Sequence, residues 1–140
     1  MIYFAYGANL NLRNLKRSAP QAKPLCVGKL AGYRLVFRGY ADIAPDKDGV
    51  VLGALYDITP VGVRALDTYE GEDYRKIDVT VNTDDGPRQA MAYVMKGGDI
   101  APPQIAYYTV IARGYADWKL DAEPLRRARY ASVRPVKVTY

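Results

Sequence analysis

The feature that most constrains the fold is a glycine-interrupted alternation over residues 25–37. Its odd positions read Leu25, Val27, Lys29, Ala31, Tyr33, Leu35 and Phe37, a period-two pattern with one charged exception. Gly28 and Gly32 inside it predict a bulge or bend of the kind a curling sheet needs. Other stretches also read as strands. Residues 2–6 form a short buried one ending at Gly7, and residues 50–58 are apolar at nearly every position, as in a central strand. Residues 74–81 and 88–95 flank Asn82-Thr83-Asp84-Asp85-Gly86-Pro87, whose Asp-Gly pair predicts a hairpin. Asn9 or Asn11 caps a short helix running to about Ser18, with Pro20 just beyond it. Thr59 and Pro60 open a second helix that Gly71 ends. Residues 104–113 and 121–131 read as helices, and 133–140 as a returning extended segment. Strands come mostly before the late helices, so the expected class is α+β: a small mixed or antiparallel sheet curled towards a β-barrel and flanked by short helices.

The 140 residues fit one domain, 1–140, with no low-complexity linker and no internal repeat. Composition then removes several chemistries. The chain contains no histidine, which excludes Ser-His-Asp and Cys-His catalysis, His-ligated zinc and an imidazole proton shuttle. The single cysteine, Cys26, can form neither an intrachain disulfide nor a thiolate cluster, and is expected to fill apolar space. The start of the sequence has no basic stretch followed by a long apolar one, and no run approaches the ~20 apolar residues of a membrane span, so a cytoplasmic protein is expected. A net charge of +5 and thirteen tyrosines raise a nucleic-acid reading, with Arg126, Arg127, Arg129, Arg134 and Lys137 clustered late. No nucleic-acid motif accompanies them and the tyrosines follow strand spacing, so a solvated helix face with a basic tail accounts for the cluster. The same positive field also attracts small anions.

The helix predicted over residues 60–70 carries the sharpest chemical clue. Val63, Leu66 and Glu70 stand at i, i+3 and i+7, so a carboxylate continues an apolar stripe. It does so at the helix C-terminus, where the macrodipole disfavours an anion. Desolvation and that dipole both raise the pKa of a carboxyl. The competing reading is that Glu70 frays into solvent beside Gly71. At the other end of the chain, Gly7 admits a positive φ and the residues after it start a helix. Successive N–H groups from Gly7 to Leu10 are then able to converge on an anion or a carbonyl oxygen.

These residues resemble a family. Tyr6-Gly7-Ala8-Asn9-Leu10 is similar to the YGSNL signature of the gamma-glutamylcyclotransferase-like family. Leu66-Asp67-Thr68-Tyr69-Glu70-Gly71, followed by Tyr74, resembles its LDxxEG…Y segment. Pro102-Pro103-Gln104, through Tyr107, Ile111 and Gly114, resembles its proline, tyrosine and glycine-containing helix region. The three matches keep family order from residue 2 to about 120. The resemblance implies a small β-barrel decorated by helices, with a cavity at its mouth. It also implies cleavage of a γ-glutamyl amine or peptide to 5-oxoproline and a free amine, without metal or organic cofactor. The catalytic glutamate of the family falls on Glu70 and its binding loop on Tyr6, Gly7, Ala8, Asn9 and Leu10. Tyr74 and Tyr107 match tyrosines of the cavity wall. Position 8 departs from the pattern, being alanine where the family usually has serine, and the arginine-rich last twenty residues match nothing specific.

The implied chemistry suits what composition leaves. In a γ-glutamyl amide the α-amino nitrogen attacks its own side-chain carbonyl, so the substrate supplies the nucleophile. The protein holds the folded conformer and moves protons, tasks for one glutamate and a few N–H groups. Three other readings stay open from the sequence: a related enzyme acting on a lysine- or amine-linked γ-glutamyl group rather than a dipeptide, a non-catalytic binding module that keeps the cavity, and a basic nucleic-acid binder. The leaving amine and the oligomeric state are not encoded in any motif.

Overall fold

Gly32 has a φ of +87°, a left-handed value that glycine adopts without strain, and the ladder between the two longest strands breaks beside it. In the computed structural model, which describes residues 1–133, these strands are β2 (Lys23–Arg38) and β3 (Tyr40–Asp57), an antiparallel pair turning at Gly39. Ala31 pairs with Val50 and Tyr33 with Pro45, so residues 46–49 of β3 stand opposite Gly32 alone. The inward face of β2 changes phase across this bulge. Gly28 and Leu30 are buried before it, Leu35 and Phe37 after it. The odd-position alternation expected over the whole of 25–37 therefore holds only beyond Gly32. Leu25 and Val27 face outward, 43% and 38% exposed: the bulge at Gly32 exchanges the two faces of the strand, and a second register shift between Pro24 and Cys26 leaves Leu25 unpaired in the ladder. Gly28 marks no bulge. It pairs in register with Gly53, and a Cβ there would lie 2.4 Å from Val81 Cγ1.

Strand β3 starts ten residues before its expected beginning at 50. Its first part, Tyr40 to Pro45, is cut off from the apolar run by Asp46, Lys47, Asp48 and Gly49, which form the looped-out bulge. The Asp48 N–H bonds Asp46 Oδ1 at 3.1 Å there, a local turn that needs polar residues. On the far side of β3 lies β1 (Ile2–Ala5), antiparallel to it. β4 (Tyr74–Thr83) and β5 (Gly86–Met95) form the expected hairpin in unbroken register. β4 meets β2, and β5 runs parallel to β1 at Tyr3 and Met91, which closes the barrel in the order β1-β3-β2-β4-β5. Its interior is filled by Phe4, Phe37, Leu55, Val51, Val81 and Ala92, all at or below 1% exposure.

Between β1 and the first helix, the residues after Gly7 form a single 3-10 turn, Ala8–Leu10. Asn11, rather than Asn9, then caps α1 (Leu12–Ser18), accepting from the Asn14 N–H at 3.0 Å. Helix α2 (Pro60–Glu70) begins as expected: Thr59 Oγ1 accepts from Gly62 N–H at 3.1 Å and Pro60 occupies the first position. Val63 and Leu66 face the core and Gly71, at φ +74°, ends the helix. Helix α3 (Ile105–Asp117) outruns its expected end near 113 and packs on the 3-10 turn. Gly114 makes that approach possible, since a Cβ there would sit 2.5 Å from Asn11 N and 2.6 Å from Leu10 Cβ. Helix α4 (Glu123–Ser132) packs against β2 and is followed by a turn at Val133. The extended segment expected over 133–140 otherwise lies outside the described residues. Among the described residues no helix is long and apolar enough to cross a membrane.

Candidate active site

Several separate elements converge on one cavity of about 370 Å³: β1 and the turn after it, the start of β3, the end of α2 with the chain leading into β4, the end of β5, and the first turn of α3. Tyr6, Gly7, Ala8, Asn9, Glu70, Tyr74 and Tyr107 all line it. Of the expected binding residues, Leu10 stands apart. Its side chain is fully buried in the core and does not reach the cavity. Its N–H is also occupied, bonding the Gly7 carbonyl at 3.0 Å to close the 3-10 turn. The N–H groups that begin such a turn, here Ala8 and Asn9, have no partner within it and remain as donors. Gly7 has φ −120°, not the positive value expected. Glycine suits the position for space instead: a Cβ would come 3.1 Å from Ala41 Cβ and 3.8 Å from the Tyr107 hydroxyl.

The turn is held from behind by a buried network. Asn9 Nδ2 donates to the Tyr3 hydroxyl at 3.1 Å, and Asn9 Oδ1 accepts from Asn14 Nδ2 at 3.0 Å. The Tyr56 hydroxyl donates to the Asn9 carbonyl at 3.2 Å, while Trp118 Nε1 donates to the Leu10 carbonyl at 3.0 Å and contacts the Tyr56 hydroxyl at 3.1 Å. Asn9 is thus committed to shaping the loop by its side chain. Across the cavity, Ala41 of β3 is gripped on both backbone groups. The Tyr74 hydroxyl donates to its carbonyl at 3.2 Å, and its N–H donates to the Tyr107 hydroxyl at 3.0 Å. The Tyr107 proton is left to point elsewhere.

Glu70 is the last residue of α2 and is half-buried among tyrosine rings. Burial pushes its carboxyl from an ordinary 4.5 up to about 7, and the C-terminal end of the helix dipole acts in the same direction. Among the described residues no hydrogen bond or ion pair engages it. Burial likewise holds the phenols of Tyr3, Tyr6, Tyr74 and Tyr107 well above their usual range, so all stay neutral donors at physiological pH. Tyr3, Tyr40, Tyr69, Tyr93 and Asp73 also line the cavity and were not singled out by motif. The signal lay in composition: thirteen tyrosines against two phenylalanines place hydroxyls where apolar rings would suffice for packing. Among the described residues no three His, Cys, Asp or Glu side chains gather in a way that would hold a metal.

The late basic cluster lies away from this cavity. Arg126 and Arg127 pair with Glu123 at 3.1 and 3.8 Å on an exposed face of α4, and the Arg129 guanidinium stacks over the Tyr108 ring at 4.8 Å. Arg134 and Lys137 fall outside the described residues. Cys26 is a free, half-buried thiol packed against the barrel core.

A five-stranded closed barrel whose mouth joins a strand-to-helix turn to one raised-pKa glutamate defines a class, and comparison with known proteins identifies it. The model of the family described as "Gamma-glutamyl cyclotransferase, AIG2-like" matches residues 3–119, and the chain belongs to that family of enzymes. Among individual proteins it is similar to the gamma-glutamylcyclotransferases of Homo sapiens and Mus musculus. Each is 29% identical over 138 residues, covering 87% of this chain and 73% of the relative. A solved structure named "Gamma-glutamyl cyclotransferase" superposes with a TM-score of 0.80 at 25% identity, covering all of this chain and 91% of that one.

Proposed function

We propose that the protein cleaves a γ-glutamyl amide by intramolecular cyclisation, releasing 5-oxoproline and a free amine, with Glu70 as the proton carrier. The observation that carries this reading is the position of Glu70. A half-buried carboxyl with a pKa near 7 lines the same cavity as the donor turn of Gly7, Ala8 and Asn9. The names of the curated relatives agree with it.

The turn N–H groups hold the substrate's α-carboxylate or the developing oxyanion, and the tyrosine hydroxyls select the folded conformer. The Glu70 carboxylate takes a proton from the α-ammonium. The freed amine attacks the δ-carbonyl carbon, forming the ring C–N bond and a tetrahedral intermediate. The intermediate collapses as the original amide C–N bond breaks, and the departing nitrogen leaves as an amine after protonation from Glu70. Two protons in all pass from the α-nitrogen to the leaving nitrogen, and no oxidant or external nucleophile enters. Orientation of an intramolecular attack provides effective molarities of ~10⁵ M or more, and one well-matched base-then-acid contributes roughly 10²–10⁴-fold. A pKa near neutral suits a group that must both accept and donate.

The test is a screen of γ-glutamyl amides for 5-oxoproline formation, run beside Glu70→Gln. The variant keeps the shape of the side chain and loses the ability to take a proton, so release is expected to fall by at least ~10²-fold while the fold persists. A folded variant with most of its activity would remove Glu70 from the reaction.

A further inference from the structure

The tyrosine hydroxyls of the cavity fall into two kinds according to where their protons go. A phenol has one proton to give, so a hydroxyl that already donates to the protein can only accept from a ligand. The Tyr74 proton goes to the Ala41 carbonyl, and the Tyr93 proton goes to Asp67 Oδ1 at 2.6 Å. Tyr107 and Tyr3 are the reverse. They accept from the Ala41 N–H and from Asn9 Nδ2, and each keeps its proton for the cavity. These two join the N–H groups of the turn as donors, suited to a carboxylate or an oxyanion. Tyr93 and Tyr74 suit a ligand N–H.

Tyr93, buried at 5% exposure, is the more firmly committed of the second kind. The hydrogen bond from Tyr93 lowers the Asp67 pKa, and Lys76 Nζ, 3.1 Å from Oδ2, acts in the same direction. An ionised carboxylate has no proton to return, so the bond from Tyr93 runs one way only. Asp67 itself does not line the cavity. It stands at i−3 from Glu70 on α2, so the hydroxyl it anchors belongs to the same end of the helix as the Glu70 carboxyl.

The geometry points to Asp67 as a positioning residue that makes Tyr93 the acceptor for the substrate's α-nitrogen. The assignment rests on the γ-glutamyl reading above and adds how the nucleophile is held. An α-ammonium brings three protons into the cavity, and Glu70 takes one. The remaining N–H groups need acceptors, which the turn N–H groups and the free protons of Tyr3 and Tyr107 cannot be. Tyr93 accepts one of them throughout: from the ammonium, then from the attacking amine, then from the ring N–H of the product. An unanchored hydroxyl could rotate and turn its own proton towards the ammonium. The Asp67 carboxylate removes that option.

The test reads binding apart from turnover. L-5-Oxoproline and the matching enantiomer of 3-oxocyclopentane-1-carboxylate share ring, carbonyl and carboxylate. They differ in an N–H against a CH₂ at the place of the α-nitrogen. Calorimetric titration of the purified full chain should show the lactam binding about five- to tenfold tighter than the ketone. Asp67→Asn keeps the shape but inverts the bond: Lys76 takes the amide oxygen, the amide NH₂ faces Tyr93, and the Tyr93 proton turns into the cavity. The lactam preference should then shrink at least about threefold, as it should in Tyr93→Phe, while the ketone's affinity moves less than about twofold. Asp67→Ala, which leaves the hydroxyl free to rotate, should fall between the wild type and Asp67→Asn. In the double variant Asp67→Asn with Tyr93→Phe the two losses should not add, because Asp67 acts through Tyr93. A wild type without lactam preference, a preference unmoved by the substitutions, or additive losses overturn the assignment, and continued 5-oxoproline release then leaves the cyclisation standing. No release from any γ-glutamyl amide, together with no binding of 5-oxoproline, overturns both.

Discussion

Asp67 and Glu70 lie three residues apart on the last turn of α2, and their surroundings drive the two carboxyls in opposite directions. The Tyr93 hydroxyl donates to Asp67 Oδ1 at 2.6 Å and the Lys76 ammonium lies 3.1 Å from Oδ2, which together hold Asp67 below the usual carboxylate range. Glu70 turns into the tyrosine-lined cavity, where burial raises it to about 7. Near neutral pH the first is a fixed anion and the second exchanges its proton. Neighbouring carboxyls whose pKa values are driven apart are the pattern expected of an acid–base site, which supports the proposed role of Glu70.

From this follows a pH profile. If the Glu70 carboxylate is the base, kcat for 5-oxoproline release should rise about tenfold per pH unit below about 7 and level off above it. Steady-state rates between pH 5 and 8.5 measure this limb. Residual activity in Glu70→Gln should lack it.

Stability should respond to pH in the opposite sense. The folded chain raises the Glu70 pKa from 4.5 to about 7, so between those values the native state holds a proton that the unfolded state has released. The stabilisation tied to that proton is complete below the unfolded value, declines as pH rises through the window and is gone above about 7. Glu70→Gln has no charge to desolvate. At pH 8 it should be more stable than the wild type by on the order of 1–2 kcal/mol, after allowance for solvent screening of a half-buried group. That corresponds to ~3–6 °C in Tm for a domain of this size. Calorimetry at pH 5 and 8 checks it, and the difference should close at pH 5. A variant more stable and less active at pH 8 is what a binding or catalytic acid predicts and a structural one does not.

Much of this was legible before any coordinates. The stripe of Val63, Leu66 and Glu70 was readable because helical periodicity is local, and so were the Thr59 cap and the Gly71 stop. The β4–β5 hairpin was readable from its turn chemistry. The barrel's closure was less so, since it depends on a parallel meeting of β1 with β5, residues nearly ninety positions apart, which no window of sequence contains. The phase of β2 was misread for a related reason. Its inward face is set by a bulge whose extra residues, 46–49, sit on the partner strand. Leu10 was grouped with the binding loop by motif, whereas its side chain supports the turn from the core. Tyr40 and Asp73 carry no motif and reach the cavity only through the tertiary fold.

The support behind the turn makes its own prediction. Trp118 Nε1 reaches the Leu10 carbonyl and the Tyr56 hydroxyl, and Tyr56 reaches the Asn9 carbonyl. Trp118→Phe keeps an aromatic ring in contact with Tyr56 but removes the donor. Loss of one hydrogen bond from a part-buried carbonyl should cost about 1–2 kcal/mol in urea unfolding. Because the donors of Ala8 and Asn9 are displaced without touching Glu70, KM should rise several-fold while kcat changes less and its pH midpoint stays put.

Ala8 tests whether the turn binds through its backbone or through a side chain. The N–H groups of Ala8 and Asn9 start the 3-10 turn and are free of partners within it, and their direction is set by the network behind the loop rather than by the residue type at position 8. A backbone cradle needs no hydroxyl there, so alanine in place of the family's usual serine leaves it intact. Ala8→Ser adds one oxygen to a half-buried position lining the cavity. If N–H groups do the binding, KM for a γ-glutamyl amide should move by less than about threefold, under the effect of one neutral hydrogen bond, and kcat should be unchanged. A tenfold fall in KM would mean instead that a hydroxyl at this position contacts the substrate and that this chain binds more weakly for want of it.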